Sequence, residues 1–456
     1  MLTVIDPTTG KLIREVEAAT AEQAKEAITR AHAAYDGWRR RSFAERAEVL
    51  SAVAARMRED RERLALLMTE EMGKPIIEAR GEVDKAAWCA EHYAEHAEAY
   101  LAPETIASDA THSYVQYLPL GVVLGVLPWN SPFWLAFRFL APTLMAGNTC
   151  LMKHDSHVPG CAEAIANVFD EVGAPAGLVT NVPLRSPDVE PVIRDPRVVA
   201  VSVTASDRAG SAVGRAAGEE IMPVVLELGG SDPAIVLADA DLEAAADAIT
   251  TMRMINAGQS CIAAKRIIVE DAVHDEFVEL LRERMAALTM GDPREESTQV
   301  GPIAREDLRD ELHGQVQRSV EAGATCVLGG EVPDREGFFY PPTILTGVTT
   351  DMAASCEETF GPIAAVLKVD DADEAVRVAN DSPYGLGGSV FTTRERGEAM
   401  AREIVTGQVA VNGIVKTDPR LPSGGVKRSG LGRELGPHGI REFVNPQQVW
   451  VGPKQD

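Results

Sequence analysis

The sequence predicts an α/β protein with two lobes, each built on a mostly parallel β-sheet covered by helices. Two regions in which short apolar runs alternate with amphipathic segments predict this fold. The first region begins after Ala102, and the second begins after Gly230. A length of 456 residues allows two or three domains and a large buried core. The apolar share of 45% and the charged share of 25% are typical of globular proteins.

The N-terminal part of the chain, from Thr20 to about Leu101, is predicted to be a series of helices. Thr20 with Gln23 has the spacing of a capping box, in which two side chains satisfy the first backbone donors of a helix. Ser42 with Glu45 has the same spacing. Apolar residues then recur at helical intervals, so one face of these helices is expected to pack on a larger body.

The strands of the two lobes are predicted from short apolar runs. In the first lobe the runs are "YVQYL", "VVLGVL", "TCLM", "LVTNV" and "VVAVSV"; in the second they are "PAIVLA", "AKRIIVE", "ATCVLGG", "AAVLKV" and "GSVFT". Ligands of such folds bind beyond the carboxyl ends of the strands. A cleft between the lobes is therefore the expected site.

Composition and charge exclude several function classes. The net charge of -25 argues against a nucleic-acid partner, because such proteins present clusters of Lys and Arg. The N-terminus has no secretion signal pattern. The uncharged stretch 113–137 contains Pro119, Pro128 and Pro132, which predicts strand and loop rather than a membrane helix. We therefore expect no membrane partner.

The six cysteines are scattered and form no CxxC pair. A disulfide framework or a metal site is not expected, and a cytoplasmic location fits this pattern. Five of the six are interpreted as ordinary small hydrophobic residues. The glycine patterns GxGxxG and GxxxxGK[ST], which mark two common nucleotide sites, do not occur. The glycines of "GSAVGRAAG" are interpreted as helix packing positions, so glycine spacing alone leaves the cofactor open.

The sixth cysteine, Cys261, ends the polar segment "NAGQSC". A nucleophilic thiol needs a cation, a helix N-terminus or a base nearby. Upstream, Glu227 ends the apolar run of "VVLELGG" and precedes two glycines. A carboxylate at such a strand end can face a cleft and be partly desolvated, which raises its pKa toward that of a general base. Taken alone, Glu227 could equally be a solvated acid at the end of a strand.

Five motifs occur in a fixed order: "PWNSP" (128–132), "LELGGSDP" (226–233), "NAGQSC" (256–261), "EETFGP" (357–362) and "PSGGVKRSGLGRELG" (422–436). In this order and at these intervals the chain resembles the aldehyde dehydrogenase superfamily over nearly its whole length. The segments "PFWLAFRFLAPTLMAGNTCLMKH" and "GQSCIAAKR" look most like bacterial NAD(P)-dependent succinate-semialdehyde dehydrogenases. The resemblance implies two Rossmann-like three-layer α/β/α lobes with a small β oligomerisation arm.

The resemblance also implies a domain division. Residues 1–101 and 120–229 would form the dinucleotide-binding domain, and residues 230–428 the catalytic domain. Residues 102–119 and 429–456 would form the oligomerisation arm and the C-terminal segment. The alternating runs "SYVQYL" and "QVWV" suit strands that pair across subunits, so a homodimer or homotetramer is expected.

Three catalytic roles follow from the resemblance. The Cys261 thiolate would add to an aldehyde carbonyl and form a thiohemiacetal. The Asn130 amide and the backbone N–H of Cys261 would stabilise the oxyanion. Hydride transfer to the nicotinamide would leave a thioester, and Glu227 would activate the water that hydrolyses it.

The expected cofactor is NAD or NADP. The residues at family positions that line it are Trp129, Lys153, Ser156, Ser206, Leu228, Glu358 and Phe360. Ser156 stands where the family often has an acid that holds a ribose 2'-hydroxyl. Loss of that acid reduces repulsion of a 2'-phosphate, although Asp155 nearby leaves the preference open.

The expected substrate is an aldehyde, with succinate semialdehyde as the leading candidate. Arg138 falls where some relatives bind the distal carboxylate. A second arginine that some relatives carry is Ile255 here, and the nearby Arg253 is interpreted as a helix surface residue. Other aliphatic or aromatic aldehydes are alternatives. A cysteine hydrolase or acyltransferase without nicotinamide is the alternative from another class.

Overall fold

The computed structural model describes residues 1–452, and it contains two sheet-centred lobes and a three-stranded arm. The helices are α1 Ala21–Trp38, α2 Phe43–Glu59, α3 Arg61–Met72, α4 Ile76–Tyr100, α5 Pro132–Met145, α6 Pro159–Glu171, α7 Val189–Ile193, α8 Asp207–Glu219, α9 Leu242–Met254, α10 His274–Ala286, α11 Glu306–Glu321, α12 Ala353–Cys356, α13 Ala372–Asn380, α14 Arg394–Met400 and α15 Gly436–Arg441.

The strands are β1 Leu2–Asp6, β2 Lys11–Val16, β3 Glu104–Thr105, β4 His112–Pro119, β5 Val122–Leu127, β6 Thr149–His154, β7 Val179–Asn181, β8 Val198–Thr204, β9 Val224–Glu227, β10 Asp232–Val236, β11 Ala264–Glu270, β12 Thr325–Leu328, β13 Thr343–Thr346, β14 Ile363–Val369, β15 Gly387–Phe391, β16 Gln408–Val411, β17 Gly430–Leu431 and β18 Val444–Val451. All ten runs quoted above contribute to strands, whereas β13, β16 and the β1–β2 hairpin were not predicted.

The first lobe is centred on a six-stranded sheet in the order β17-β9-β8-β5-β6-β7. All neighbours in it are parallel except the short β17, which pairs antiparallel with β9. The second lobe has a seven-stranded sheet in the order β12-β13-β14-β11-β10-β15-β16, in which only β12 is antiparallel to its neighbour. The predicted α/β fold class is confirmed. The segment from 429 onward, expected outside both lobes, adds β17 to the first sheet.

The helices of the N-terminal region pack on the first lobe. Both predicted capping boxes are present, at Thr20 before α1 and at Ser42 before α2. Every residue of α5 is buried, which explains the apolar character of its sequence and makes its one charged residue, Arg138, conspicuous. None of the described helices is long and apolar enough to cross a membrane.

The arm consists of β3, β4 and β18. Strands β4 and β18 pair antiparallel along their full length, from His112 opposite Val451 to Pro119 opposite Val444. The two runs expected to pair across subunits therefore pair with each other within one chain. Strand β18 is an edge of this sheet and exposes Trp450. Residues 453–456 of the expected C-terminal segment lie outside the described residues.

The interpretation of five cysteines as small hydrophobic residues holds for three of them. Cys89, Cys150 and Cys161 are buried, whereas Cys326 and Cys356 are exposed. All six are free thiols. Within residues 1–452, His, Cys, Asp and Glu side chains form no cluster of three that could hold a metal ion.

Asn148 ties the first sheet to the C-terminal segment. Its Oδ1 accepts hydrogen bonds from the backbone N–H groups of Leu120 and Gly121 at 2.8 and 2.9 Å. Its Nδ2 donates to the carbonyl of Phe443 at 2.8 Å. The side chain is fully buried, so each lost bond would leave a backbone group without a partner.

We expect Asn148→Ala to lower the free energy of unfolding by about 2–4 kcal/mol, since it removes three buried hydrogen bonds. Urea titration followed by circular dichroism measures this loss. The exposed Asn445 provides a control, because its alanine variant removes an amide from the same region without removing buried bonds. Equal stability of the two variants would contradict the role given to Asn148.

Candidate active site

The predicted site residues come from opposite ends of the two sheets. In the first lobe, Asn130, Lys153, Ser206 and Glu227 stand at or just after the carboxyl ends of β5, β6, β8 and β9. That placement agrees with the rule for parallel α/β sheets. The second lobe does not follow the rule, because its functional loops precede strands β11 and β14. The cleft thus faces the carboxyl edge of one sheet and the amino edge of the other.

A cavity of about 540 Å³ lies between the lobes. The predicted site residues that line it are Trp129, Asn130, Ser206, Leu228, Cys261, Glu358 and Phe360. The rings of Trp129 and Phe360 meet edge to face, with centroids 5.7 Å apart. Lys153 and Ser156 line a second cavity of about 320 Å³, which lies at the carboxyl end of strand β6. Glu227 and Arg138 line neither cavity and lie behind the first.

The nucleophile follows a strained turn. Asn256, Ala257 and Gly258 adopt successive left-handed conformations, with φ of 55°, 52° and 75°. Each such residue other than glycine costs on the order of 1–3 kcal/mol, so surrounding contacts must hold the turn. At Gly258 a Cβ would lie 2.3 Å from the Gly361 carbonyl oxygen, which explains the glycine of "NAGQSC".

Hydrogen bonds to helix α4, to helix α9 and to the loop before α5 hold this turn. The Glu78 carboxylate on α4 accepts from the Asn256 backbone N–H at 2.7 Å. The Asn256 side-chain amide donates to the carbonyl of Asn130 at 2.9 Å. Arg253 at the end of α9 donates to the carbonyls of Gly258 and Gly361 at 2.7 and 2.5 Å.

The interpretation of Arg253 as a helix surface residue was wrong. Its side chain is fully buried, and desolvation lowers its pKa to about 9. The guanidinium has enough donors to bind several carbonyl oxygens at once, and these oxygens compensate for the lost water. The sequence did not reveal this burial. Helix α9 ends at Met254, and the spacing of residues does not show that the turn after it offers carbonyl groups to Arg253.

Asn130 is positioned to hold an oxyanion. Its Nδ2 donates one hydrogen to the carbonyl of Gln259 at 3.0 Å, which fixes the amide next to the nucleophile loop. An amide nitrogen carries two hydrogens, so one remains for a substrate oxygen. Gln259 is fixed in turn, because its Oε1 accepts from the backbone of Ala304 at 2.9 Å.

The Cys261 thiol lies next to a buried cation that sequence analysis missed. The Lys265 ammonium donates to the carbonyls of Ser260 and Cys261 at 2.9 and 2.7 Å and lies 3.2 Å from a Glu358 carboxylate oxygen. Desolvation raises the pKa of the thiol to about 12, while Lys265 and Arg138 oppose that rise. The thiol is therefore protonated in this arrangement and needs a base or a further cation for activation.

Glu227 has the electrostatic environment of a general base. Burial raises its pKa to about 7, despite the opposing charge of Arg138. Arg138 Nη2 donates to Glu227 Oε2 at 3.1 Å and lies 2.5 Å from Glu434 Oε2. Glu227 Oε1 is buried and has no hydrogen-bond partner among the described residues, so this oxygen can accept a proton. A Cβ at Gly424 would lie 2.5 Å from it, so that glycine leaves room for the carboxylate.

Arg138, which the resemblance assigns to the distal carboxylate of the substrate, lies next to the base. Two buried carboxylates, Glu227 and Glu434, share its guanidinium, and its side chain is 3% exposed. Its charge is thus already neutralised without a substrate. The Ser423 hydroxyl lies 3.4 Å from Arg138 Nη2. Arg138 Nη2 orients the base, while Nε is buried without a partner among the described residues, so binding of a distal carboxylate by Arg138 stays a prediction.

The larger cavity has groups that fit a dinucleotide. Ser206 caps α8, and the N-terminus of that helix favours a phosphate. The Thr204 hydroxyl lines the cavity, is buried and lacks a partner among the described residues. Glu358 accepts from the backbone of Gly230 at 3.0 Å, and a Cβ at Gly229 would lie 2.3 Å from the same carboxylate. Gly229 thus makes room for an acid that can bind a ribose, and the Gly230 N–H holds that acid in place.

Positively charged side chains line the smaller cavity, which also lies at the carboxyl ends of strands of the first sheet. Lys153 and Ser156 line it together with Arg185, which sequence analysis missed. Arg185 donates through Nε to Asp188 at 2.8 Å, and within residues 1–452 its two terminal amino groups bond no side chain. The Asp155 carboxylate is held by His157, which lies 2.6 Å away. This cavity can accept an anionic group.

Comparisons with known proteins agree with this geometry. Residues 1–449 match the aldehyde dehydrogenase family. The chain belongs to that family. It is 47% identical over 454 residues to succinate-semialdehyde dehydrogenase [NADP(+)] 1 of Mycobacterium tuberculosis, covering 99% of both chains. It is 44% identical over 451 residues to a probable succinate-semialdehyde dehydrogenase [NADP(+)] of Synechocystis, again covering 99% of both.

Solved structures of family members have the same fold. The succinic semialdehyde dehydrogenase of Streptococcus pyogenes in complex with NADP+ superposes with a TM-score of 0.97 at 37% identity, covering 99% of this chain and all of that one. The lactaldehyde dehydrogenase of Escherichia coli superposes with a TM-score of 0.96 at 36% identity, covering 99% and 95%. The same fold therefore carries different aldehyde specificities.

The functional residues that sequence reasoning missed in this aldehyde dehydrogenase act through charge or orientation. Glu78, Lys265 and Glu434 are far apart in sequence, and only the tertiary fold brings them to the nucleophile and the base. The sequence alone could have indicated Lys265, because it is a lysine near the start of a strand that is otherwise rich in buried apolar side chains. Such a lysine requires a partner when it is buried.

We expect Lys265→Met to slow alkylation of Cys261 by iodoacetamide at pH 8 between about twofold and tenfold, because loss of the cation raises the thiol pKa. Mass spectrometry of the Cys261 peptide over time measures the rate. Lys368→Met is the control, since Lys368 is exposed on the adjacent strand β14. An unchanged rate in a folded Lys265→Met protein would rule out the electrostatic role.

Proposed function

We propose that this aldehyde dehydrogenase oxidises succinate semialdehyde to succinate, with NADP+ as the hydride acceptor. One observation supports this reaction class. Cys261, Asn130 and the N-terminus of α8 all line one cavity, so the nucleophile, the oxyanion donor and a phosphate site lie together. The relatives named above support the choice of aldehyde. The chain's own charges at the smaller cavity support the choice of cofactor.

The first step uses Cys261 and Asn130. Cys261 gives its thiol proton to a base, and the thiolate sulfur then attacks the aldehyde carbon, so that a C–S bond forms and the carbonyl electron pair moves onto oxygen. The Asn130 amide and the Cys261 backbone N–H donate to that oxyanion. Removing one such donor typically costs about 10²–10³ in rate. When bound, the nicotinamide supplies the acceptor for the hydride that leaves the same carbon.

The second step uses Glu227. Its unpartnered Oε1 accepts a proton from water, and the water oxygen attacks the thioester carbon. The C–S bond then breaks, and its electron pair returns to Cys261 as a thiolate. A carboxylate whose pKa lies near 7 suits this task, because it is basic enough to take the proton and a large fraction of it is ionised at neutral pH. Arg138, which also contacts Glu434, fixes the orientation of the Glu227 carboxylate.

The preference for NADP+ rests on three side chains at the smaller cavity. Lys153 and Arg185 are cations, and Ser156 is a neutral hydrogen-bond donor in the place where many relatives carry an acid. His157 holds Asp155, the one acidic residue among those that line this cavity, toward its own loop through its backbone N–H and its ring. A 2'-phosphate at this end of the cofactor therefore meets donors and positive charge.

We further propose a cytoplasmic homo-oligomer assembled through the arm. The edge strand β18 exposes Trp450 and Val451 next to open backbone groups, which favours pairing with a second chain. A reducing compartment suits a nucleophilic thiol and two exposed cysteines.

A substrate panel tests the proposal. Succinate semialdehyde, butanal and lactaldehyde are each assayed with NAD+ and NADP+ by the absorbance of the reduced cofactor. We expect the highest kcat/KM for succinate semialdehyde with NADP+. Absence of reduced cofactor, with ester hydrolysis instead, would identify a hydrolase.

We expect Glu227→Gln to lower the steady-state rate by about 10²–10⁴ while keeping a burst of one NADPH per site, because acylation precedes the step that needs the base. Stopped-flow absorbance measures burst and steady state. In the parent protein the steady-state rate should fall as the pH drops below about 7, where Glu227 becomes protonated. A variant with normal turnover, or one without a burst, would contradict this role.

We expect Ser156→Glu to shift the ratio of kcat/KM for NADP+ over NAD+ by at least about tenfold toward NAD+, because the new carboxylate repels the 2'-phosphate. Initial rates at fixed aldehyde measure the ratio. Ser156→Ala is the matched control, since it removes the hydroxyl without adding charge. If both variants keep the parent ratio, the 2'-phosphate does not lie at Ser156.

A further inference from the structure

Helix α5 begins without a side-chain cap of its own. Its first residue is Pro132, which has no N–H group, and the N–H of Leu135 donates to the carbonyl of Ser131 at 2.9 Å. The N–H groups of Phe133 and Trp134 remain, and they need acceptors from another part of the molecule.

Glu82 on α4 supplies both acceptors through one oxygen atom. Its Oε1 accepts from the N–H groups of Phe133 and Trp134 at 2.9 and 3.1 Å. Its Oε2 forms an ion pair with Lys74, whose ammonium also donates to the Ser131 hydroxyl at 3.1 Å. The Lys74 and Glu82 side chains are only 4% and 6% exposed. Because separating a buried ion pair is costly, this pair holds the start of α5 in one position.

Helix α4 contacts both segments that carry the proposed oxyanion donors. Asn130 directly precedes Ser131, so the pair described above fixes the loop from which its amide extends. The other donor belongs to the nucleophile loop, where Glu78 accepts from the Asn256 N–H at 2.7 Å. Glu78 and Glu82 lie about one turn apart on α4. One helix therefore sets the distance between the two loops.

We propose that Glu82, supported by Lys74, is a positioning residue that aligns the Asn130 amide with the backbone N–H of Cys261. The inference rests on the proposed function, in which these two groups bind the oxyanion. Each donor must lie about 2.7–3.1 Å from that oxygen, and a displacement of about 1 Å can cost about 10² in rate. Glu82 lines neither of the two cavities described above, so it acts on the reaction only through Asn130.

The first turnover tests this role, since NADPH forms before the thioester is hydrolysed. Stopped-flow absorbance follows NADPH with saturating NADP+ and the aldehyde that the substrate panel ranks first. We expect the alanine double variant, Lys74→Met with Glu82→Ala, to lower the rate constant by about 10- to 100-fold. The glutamine double variant, Lys74→Met with Glu82→Gln, should stay within about fivefold of the parent, because its amide oxygen can still accept from α5. Both variants lack a buried charge, so they differ only in the acceptor.

A second buried glutamate provides a matched control, because it caps a helix in the same way. Glu71 on α3 accepts from the N–H groups of Gly160 and Cys161 at 2.9 and 3.0 Å. These residues begin α6, which also starts with a proline and lacks its own side-chain cap, and Glu71 pairs with Arg14. Helix α6 carries neither oxyanion donor. Arg14→Met with Glu71→Ala should therefore leave the first turnover within about twofold of the parent.

A double-mutant cycle distinguishes positioning from a general loss of structure. Asn130→Ala removes the group through which Glu82 acts, so adding the alanine double variant to it should slow the first turnover by less than about threefold more. If the alanine double variant does not fold, Glu82→Asp replaces it in the cycle. Glu82→Asp keeps the charge beside Lys74 but withdraws the acceptor from α5 by one methylene group, and we expect it to slow the parent by about three- to tenfold.

The outcomes separate this inference from the proposed function. If Asn130→Ala keeps the first-turnover rate of the parent, the amide does not bind the oxyanion, and the proposed chemistry is wrong together with the inference. If Asn130→Ala is slow but the Glu82 variants are as fast as the parent, only the positioning role is wrong. The same conclusion follows if the effects of the Asn130 and Glu82 variants multiply in full, or if the control at Glu71 slows the first turnover equally.

Discussion

The site depends on three consecutive left-handed residues, Asn256 to Gly258, that present Cys261 to the cleft. Such a turn is unfavourable in isolation, and it persists because buried donors and acceptors surround it. Glu78 satisfies its first N–H, Arg253 its last carbonyl, and the Asn256 side chain binds the loop that carries Asn130. The nucleophile and the oxyanion donor are thus parts of one hydrogen-bonded unit. Because that unit bridges both lobes, the two lobes must be correctly packed before the thiol meets its partner, which makes the active site a product of the whole fold.

Burial separates the titration of the two reacting groups. The same desolvation that raises the pKa of the Cys261 thiol to about 12 raises that of Glu227 to about 7. A dry cleft therefore improves the base and opposes formation of the thiolate. The positive charges of Lys265 and Arg138 oppose the rise in the thiol pKa. The Lys265 ammonium binds the carbonyl of Cys261, and Arg138 lies between the base and Glu434. Arg138 with two carboxylates leaves a net negative charge behind the site, which favours proton uptake by Glu227.

Local pattern was sufficient for most of the fold, because the apolar runs and capping boxes act within a few residues of each other. It failed for β13 and β16, which are four residues long and carry too few side chains for a periodic signal. At the site, Cys261, Asn130 and the cofactor residues could be placed through the family resemblance, and the cavity brings seven of them together. The contacts of Arg138 and Arg253 could not be placed in this way, because they involve groups that are distant in sequence: Glu434 for the first and the carbonyl of Gly361 for the second. A sequence shows that a charge exists, but burial and partners decide whether it is free.

That distinction explains how an acidic protein can select an anion. The chain carries a net charge of -25, which repels a carboxylate substrate, although salt largely screens this repulsion at distances beyond about 10 Å. Affinity for an anionic aldehyde must therefore come from short-range contact with buried donors that have no other partner. Arg138 holds both glutamates through Nη2, and its Nε is buried without a partner among the described residues, so the guanidinium keeps a donor for an anion. A substrate that drew Arg138 away from Glu227 would disturb the carboxylate that later activates water. Any anion that binds this guanidinium is therefore coupled to the orientation of the base, because one side chain serves both.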